Sequence, residues 1–471
     1  MKARISLLLG LLLLLSACQV PSAPPALTTS PVTEAPETSL PVIRPVTDPP
    51  ETDPITTVPV TTPPPEPITY TDITLLSAGD IMFHGRNVQA GYDRASGSYS
   101  FTEVFQYLSP IVSRYDYAVA NLETTFSGAA SGYTDTWSIS FNTPDEGLDA
   151  IRECGFDMML FANNHTNDRR LAGLTRTVQK VREKEMDLIG ASDVKDGQMW
   201  QVVDVKGTKI GMLNYTNDGS WSENAKGTLN GSPLGDSEGY VNVFYLAELD
   251  AFYRKVEQDI AAMKAAGAEL TVCYIHWGPE YAVEPRKNTK QIAQTLCDLG
   301  VDAIIGSHPH VVQPMEVLTN SADPSRKTVC FYSLGNLISN QNRKSLSEAD
   351  CYGNDPKNTE NGLMVALTVR KYSTGQTLIV SAEAIPTWVH RYDDTTTWQR
   401  EYRIIPLESA LTAPKDYGLE DSSFGVTHAT ASLAYTKALL EEDLAAYLAA
   451  VTLPAGTEDA VKLPDETKNE S

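Results

Sequence analysis

The stretch DAIIGSHPHVVQP, Asp302 to Pro314, runs a short apolar segment straight into Gly-Ser and then into two histidines on either side of a proline. A run this short and this continuous in apolar residues reads as a strand buried on both faces, and the polar cluster begins where the strand stops. Pro309 fixes its own φ and biases the residue before it away from the helical region. The backbone is therefore expected to be extended, aiming His308 and His310 from one loop at one point in space. In a chain with seven histidines, that is how a metal would be gripped.

The same grammar recurs along the chain. ITLLSAGD, YAVANLE, DMMLFANNH, TVCYIHWG and VCFYSLGN each carry an apolar, β-branched run into a polar loop, so the polar residues are expected along one edge. Helical patterns lie between them at Phe101 to Ser113, Asp145 to Cys154, Leu171 to Met186, Leu246 to Ala266 and Asn288 to Gly300. In the last, Ile292, Leu296 and Leu299 recur at helical spacing and Gly300 is placed as the C-cap. Alternating strands and helices predict an α/β architecture, where ligands collect at the carboxyl ends of strands. WQVVDVKG, TKIGMLNYT, NGLMVALTVR and QTLIVSAEAIPTWVHR alternate more and lack intervening helices. They predict antiparallel additions, hence a mixed sheet or two packed sheets.

The chain has 471 residues, and its beginning differs from the rest. Lys2 and Arg4 precede the apolar run LLLGLLLLL, which ends in Leu15-Ser16-Ala17-Cys18. These four residues resemble the bacterial lipobox, which implies a signal peptide over 1–17, cleavage before Cys18, and a lipid on its sulfur. The chain would then be extracytoplasmic and held to the cell membrane by acyl chains. Residues 18–71, as in PPETDPITTVPVTTPPPEP, lack apolar periodicity and read as a disordered, semi-rigid polyproline stalk. A domain is expected over 72–406, followed by a C-terminal helix, TKALLEEDLAAYLAA, and tail over 407–471. The net charge of −23 argues against nucleic acid as a partner. Besides Cys18, five cysteines remain, an odd number without CxxC spacing, so free structural thiols are expected.

The polar loops supply, in order, Asp80 and His84, Asn121 and Glu123, Asn163, Asn164, His165 and Asp168, His276 and Glu280, then His308 and His310. A single histidine at a strand end is more often a hydrogen-bonded structural residue than a ligand; so many coincidences on one rim reverse that preference. Oxygen and imidazole donors without thiolates suit Mn, Fe or Zn used as a Lewis acid.

GDIMFHGR, NLETTFSG, FANNHTND, IHWGPEY, GSHPHVVQPMEV and FYSLGNLISNQ resemble the successive blocks of the CapA family, the poly-γ-glutamate capsule synthesis proteins, which are similar to calcineurin-like metallophosphoesterases. The resemblance covers about Ile73 to Thr387 and implies a four-layer αββα sandwich with a mixed sheet pair. It further implies one or two divalent ions, one held by Glu123, Asn164, His276 and His308, the other by Asp80, Glu123 and His310. His165 would be the general acid, with Asp80 beside it at the catalytic centre, and the nucleophile a water acidified by the ions. Met82 stands where the superfamily pattern has a histidine, and a thioether is a poor ligand for a hard ion, so the first ion is weakened, absent, or completed by His84. Arg86 and His84 are the expected contacts to an anionic substrate such as poly-γ-glutamate. The function implied is participation in capsule biosynthesis and export alongside membrane subunits, by metal-assisted hydrolysis of a phosphoester or amide. The alternative is a non-catalytic polyanion-binding subunit. Gly335 and Asn336 are expected to make a tight turn beneath the site. Trp277, Tyr281 and Trp388 are expected chiefly in packing.

Overall fold

Successive side chains of a strand point to opposite faces, and in the strand Thr69–Ile81 both faces are apolar. Ile73 and Leu75 enter one core while Leu76 and Ala78 enter another. The next strand, Tyr117–Leu122, repeats this, with Val119 on the first side and Ala118, Ala120 and Leu122 on the second. The computed structural model showing these elements describes residues 66–219, 226–393, 400–419 and 424–464. The signal segment, Cys18 and nearly all of the stalk lie outside the described residues.

A nine-stranded sheet runs in the order Arg400–Pro406, Thr377–Asp393, Asn361–Tyr372, Thr69–Ile81, Tyr117–Leu122, Met158–Leu160, Asp187–Ile189, with Asn336–Ile338 and Val461–Lys462 also paired to the Thr69 strand. Its Thr69-to-Ile189 half is parallel and its other half antiparallel. A seven-stranded sheet runs Val243–Phe244, Thr208–Asn217, Leu270–His276, Ala303–Ser307, Lys327–Phe331, Met315–Thr319, with Gln201–Val205 antiparallel on the Thr208 strand. The two sheets share a core in which Ile73, Leu75, Val119 and Val365 meet Ile210, Val272, Ile305 and Val329. Helices Glu146–Cys154 and Arg170–Glu183 cover the outer face of the first sheet through Leu148, Ile151, Leu174 and Val178. Helices Leu249–Ala265 and Lys287–Asp298 cover the second through Val256, Ile260, Ile292 and Leu296. The layers are thus αββα, and the sheets are mixed, as expected.

Gly300, with φ 94°, follows the last of these helices, and the Val301 N–H donates to Leu296 O, so the predicted stop is present. The single helix expected over Phe101 to Ser113 is instead two short ones, Thr102–Phe105 and Ser109–Val112. Pro110 lacks the N–H that a continuous helix would donate to the Gln106 carbonyl, and it sits in the first turn of the second helix, where that donor is not needed.

The first strand starts at Thr69, ahead of the expected boundary at 72, because Tyr70 and Thr71 pair with Tyr372 and Lys371. The C-terminal segment belongs to the same compact unit. Its helix Gly425–Ala450 seats Leu440 and Tyr447 in the inter-sheet core, the Ser432 hydroxyl donates to Asn361 Oδ1 at 2.6 Å, and Val461 pairs with Thr69. Cys154, Cys273, Cys297, Cys330 and Cys351 are free and buried. Among the described residues, no helix is long and apolar enough to cross a membrane.

His390, buried in the strand Thr377–Asp393, has its pKa lowered to about 4 by burial and then by Arg403, His428 and Lys344. The unfolded chain takes up that proton near the ordinary 6.5, so between the two values the unfolded state binds more protons and stability falls as pH falls. At pH 5 this one group costs about 2 kcal/mol. His390→Gln is expected to reduce the loss of urea-unfolding stability between pH 7 and pH 5 by about that amount. An unchanged pH dependence would assign the acid sensitivity to other groups.

Candidate metal centre

Asp80 ends the strand Thr69–Ile81, where the pairing register with Tyr117–Leu122 shifts between Ala78 and Asp80. A bulge of this kind re-aims the side chain that follows it. Gly79 permits it, since a Cβ there would lie 2.0 Å from the Gly335 carbonyl oxygen. Gly335 itself has φ 65°, and the Asp80 N–H donates to its carbonyl at 2.9 Å. Gly335 and Asn336 make no tight turn, contrary to expectation: Gly335 bridges to Gly362, and Asn336 opens the strand Asn336–Ile338 opposite Asp80. The Asn336 amide donates to the carbonyls of His310 at 3.3 Å and Thr359 at 2.9 Å, tying the histidine loop down.

The six expected donors converge. His310 Nδ1 lies 3.1 Å from Asp80 Oδ2 and His310 Nε2 lies 3.8 Å from Glu123 Oε1. His276 Nε2 lies 3.7 Å from the same Glu123 oxygen and 3.1 Å from Asn164 Oδ1. His276 and His308 rings are 4.6 Å apart. Two donor groups result, Asp80 with Glu123 and His276, and Glu123 with His308 and His310, each with its donor atoms within 4.8 Å of one another. Glu123 is common to both, as the resemblance implies, although His276 groups with Asp80 and His308 with His310.

The His308–Pro309–His310 backbone is not extended. His308 has φ 97° and His310 φ 57°, on either side of the proline. Such backbone costs on the order of 1–3 kcal/mol per residue and persists only where surroundings hold it. Here the Tyr281 N–H donates to Pro309 O at 2.8 Å, and the His308 N–H points to Asp80 Oδ2 at 3.4 Å. The proline disfavours right-handed helix at His308, and the loop takes the left-handed side.

Several polar residues outside the expected donor set complete the centre. Asn121 donates to Asp80 Oδ1 at 2.8 Å and to Glu123 Oε2 at 3.3 Å, holding the two carboxylates together. Asn163 donates to Asn121 Oδ1 at 3.2 Å. Ser307 Oγ lies 2.8 Å from His276 Nδ1, because the two residues pair directly across parallel strands. Asp168 Oδ2 lies 2.8 Å from His165 Nδ1 and also accepts the Phe141 N–H at 2.6 Å. That orients the His165 ring with Nε2 4.0 Å from Glu123 Oε1. Asn121 had a legible signal: it shares strand parity with Glu123. Ser307 had none, since its role follows from register.

Burial decides the electrostatics. The Glu123 carboxyl is pushed well above the usual range by desolvation first, then by Asp80, Glu280 and Asp168. His276 is pushed well below its ordinary value by burial and then by His308, His310 and His165; His308 falls to about 3 for similar reasons. These imidazoles are neutral and keep lone pairs to offer. Glu123 Oε1, both ring nitrogens of His308 and Nε2 of His310 are buried without a hydrogen-bond partner. Unpartnered buried polar atoms are costly, and one cation would satisfy several of these at once. The residues present therefore fit a divalent metal.

Of the two expected substrate contacts, His84 and Arg86, the first lines the cavity beside the centre. His84 receives the Asn340 N–H at Nδ1, 3.3 Å, and is in neither donor group. It lines a cavity of about 420 Å³ beside the centre, together with Met82, Phe141, His165, Glu280, Tyr281 and Gln341. Arg86 turns to Gln89 on its own short helix at 3.2 Å and does not line that cavity. Arg169 and Arg170 donate to the carbonyls of Ser140 and Pro233. Trp277 and Trp388 are buried in cores, whereas Tyr281 faces the cavity.

The chain is similar to several known proteins. The family described as bacterial capsule synthesis protein PGA_cap matches residues 74–341. PGA biosynthesis protein CapA of Bacillus subtilis (strain 168) is 29% identical over 59% of this chain and 66% of its own, and capsule biosynthesis protein CapA of Bacillus anthracis is 27% identical over 57% and 60%. The chain thus spans somewhat less than two thirds of the length of these relatives. Among solved structures, the calcineurin-like phosphoesterase YfkN from Bacillus subtilis aligns over 67% of this chain and 90% of its own at 13% identity, with a TM-score of 0.37. A putative 5'-nucleotidase from Staphylococcus aureus aligns over 67% and 54% at 12% identity, with a TM-score of 0.40. With the matched family covering every donor residue and more than half of the chain, the protein belongs to the PGA_cap family of bacterial capsule synthesis proteins.

Proposed function

We propose that this chain is a membrane-tethered, extracytoplasmic capsule biosynthesis protein whose centre hydrolyses a phosphoester or amide bond with the help of one or two divalent cations. The observation that carries this reading is the cluster of buried, unpartnered donor atoms around Glu123 Oε1, with His165 held beside it by Asp168. Mn, Fe or Zn suits the imidazole and carboxylate set and, when bound, supplies Lewis-acid polarisation and a more acidic water. The chain's own groups do the rest. Asn121 and Asn163 fix the carboxylates, Asn164 and the imidazoles offer neutral donors, and His165 presents Nε2 toward the centre to protonate a leaving atom. Poly-γ-glutamate or a related anionic polymer is the substrate class, supported by the names of the relatives. The lipid on Cys18 and the proline-rich stalk would hold the domain off the membrane, next to the membrane subunits that make and export the polymer.

The test is metal analysis of the full-length protein, paired with a screen of phosphoesters and γ-glutamyl amides with Mn, Fe and Zn added singly. Bound cation and turnover are expected in the wild type, with both reduced in His308→Ala. Equal cation stoichiometry in the two proteins would overturn the site.

One observation favours the second reading, a polyanion-binding subunit without turnover. Met82, buried and lining the cavity, supplies a thioether where the resemblance expects an imidazole. Tight polymer binding without turnover under any of the three cations would decide for it.

A further inference from the structure

The loop of residues 340–346 has two sides. Asn340, Gln341, Ser345 and Leu346 line the cavity beside the centre, whereas Asn342, Arg343 and Lys344 line a separate groove of about 310 Å³. The far wall of that groove is built from the strand Thr377–Asp393 and the start of the helix Gly425–Ala450, beyond the residues 74–341 matched by the family.

Trp388, His390 and Tyr392 stack ring on ring along the strand, with centroids 4.9 and 5.1 Å apart and planes 20° and 28° from parallel. The ends of the stack are covered as well. His428 meets Trp388 edge-on at 6.3 Å, and the Arg403 guanidinium lies over Tyr392 at 4.7 Å. Ring faces, which would bind a sugar or a base, are thereby used up.

The charges agree. Lining cations Arg343, Lys344 and Arg391 stand against Glu360 and Asp393, three against two, in a chain of net charge −23. Glu360 is already engaged, accepting from Arg343 at 2.8 and 2.6 Å and from the Trp388 indole at 3.1 Å. Arg391 donates to Asn342 Oδ1 at 2.7 Å, which sets its guanidinium beside the loop, and Lys344 is exposed. His390 Nδ1 is buried without a partner.

We infer that this groove is an anion-binding subsite that holds charged groups of a linear polyanion whose neighbouring segment lies in the cavity beside the metal-donor centre. The inference rests on the polymer reading above, but the groove contains none of the donor residues, so its binding does not need a cation. Carboxylates of a polyglutamyl chain and phosphates of a phosphate-linked polymer share the required chemistry.

The test titrates the full-length protein in chelator with a short oligo-γ-glutamate, a polyphosphate of equal charge, and a neutral oligoglutamine. Wild type is expected to bind at least one of the polyanions, and the tighter one identifies the source. The double variant Lys344→Glu, Arg391→Gln is expected to bind about tenfold or more weakly, while Lys344→Arg retains binding. Equal binding by wild type and the double variant, equal binding of oligoglutamine, or no polyanion binding in chelator would overturn the subsite. Loss of turnover with groove binding intact would instead count against the hydrolytic reading alone.

Discussion

Glu123→Gln protein is expected to keep its fold and lose its divalent cation. Glu123 Oε1 is where the two donor groups meet, 3.7 Å from His276 Nε2 and 3.8 Å from His310 Nε2. Glutamine fills the same space without charge and replaces one acceptor oxygen by a donor, leaving Asp80 as the anionic member of the cluster. Losing a residue that merely supports a ligand costs roughly 10- to 100-fold in metal affinity, so loss of the shared ligand is expected to exceed that. Stability without metal moves the other way. A buried carboxylate beside Asp80 disfavours the fold when nothing compensates its charge, and the amide removes that term. Wild type is expected to gain about 2.7 kcal/mol at a cation concentration a hundredfold above Kd, whereas Glu123→Gln gains almost nothing. Thermal unfolding with and without added Mn or Zn, alongside elemental analysis, measures both effects. Full cation stoichiometry in the variant would remove Glu123 from the centre.

The centre could be anticipated from sequence because its donors obey a local rule. Asp80, Glu123, Asn164, His276, His308 and His310 each follow an apolar run, and an α/β sheet gathers the ends of such runs on one edge. The layers could be anticipated for a similar reason: continuous apolar strands need cover on both faces, and the alternating ones pair antiparallel. What escaped depends on partners distant in the chain. Asp80 sits between Asn121 and Asn336, and His276 opposite Ser307, only because of inter-strand register, which no local pattern encodes. The left-handed backbone at His308 and His310 is held by Tyr281 and Asp80, one upstream by a helix and a strand, the other by most of the domain. Arg86 takes its place from local backbone. It neighbours the first motif in sequence, but the short helix Gly85–Ala90 turns it toward Gln89.

Removing the His165 imidazole tests the chemistry rather than the architecture. His165→Ala is expected to retain its cation, since His165 belongs to neither donor group, and to lose about 10²- to 10⁴-fold in kcat, the range for general acid catalysis. The size of the loss should follow the leaving group. An alkoxide or amine leaves poorly without a proton and should show the full effect, whereas a nitrophenolate leaves unaided and should show little. Asp168→Asn should fall between variant and wild type, because the Asp168 carboxylate 2.8 Å from Nδ1 fixes the ring and its tautomer without touching the leaving atom. Asn keeps the shape but surrenders the charge. A loss in His165→Ala that is the same for alkyl and nitrophenyl substrates would mean that the ring positions substrate instead of donating a proton. A wild type that binds cation and polymer but turns over neither substrate would leave His165 no reaction to catalyse, and the binding-subunit reading would then stand in place of the hydrolytic one.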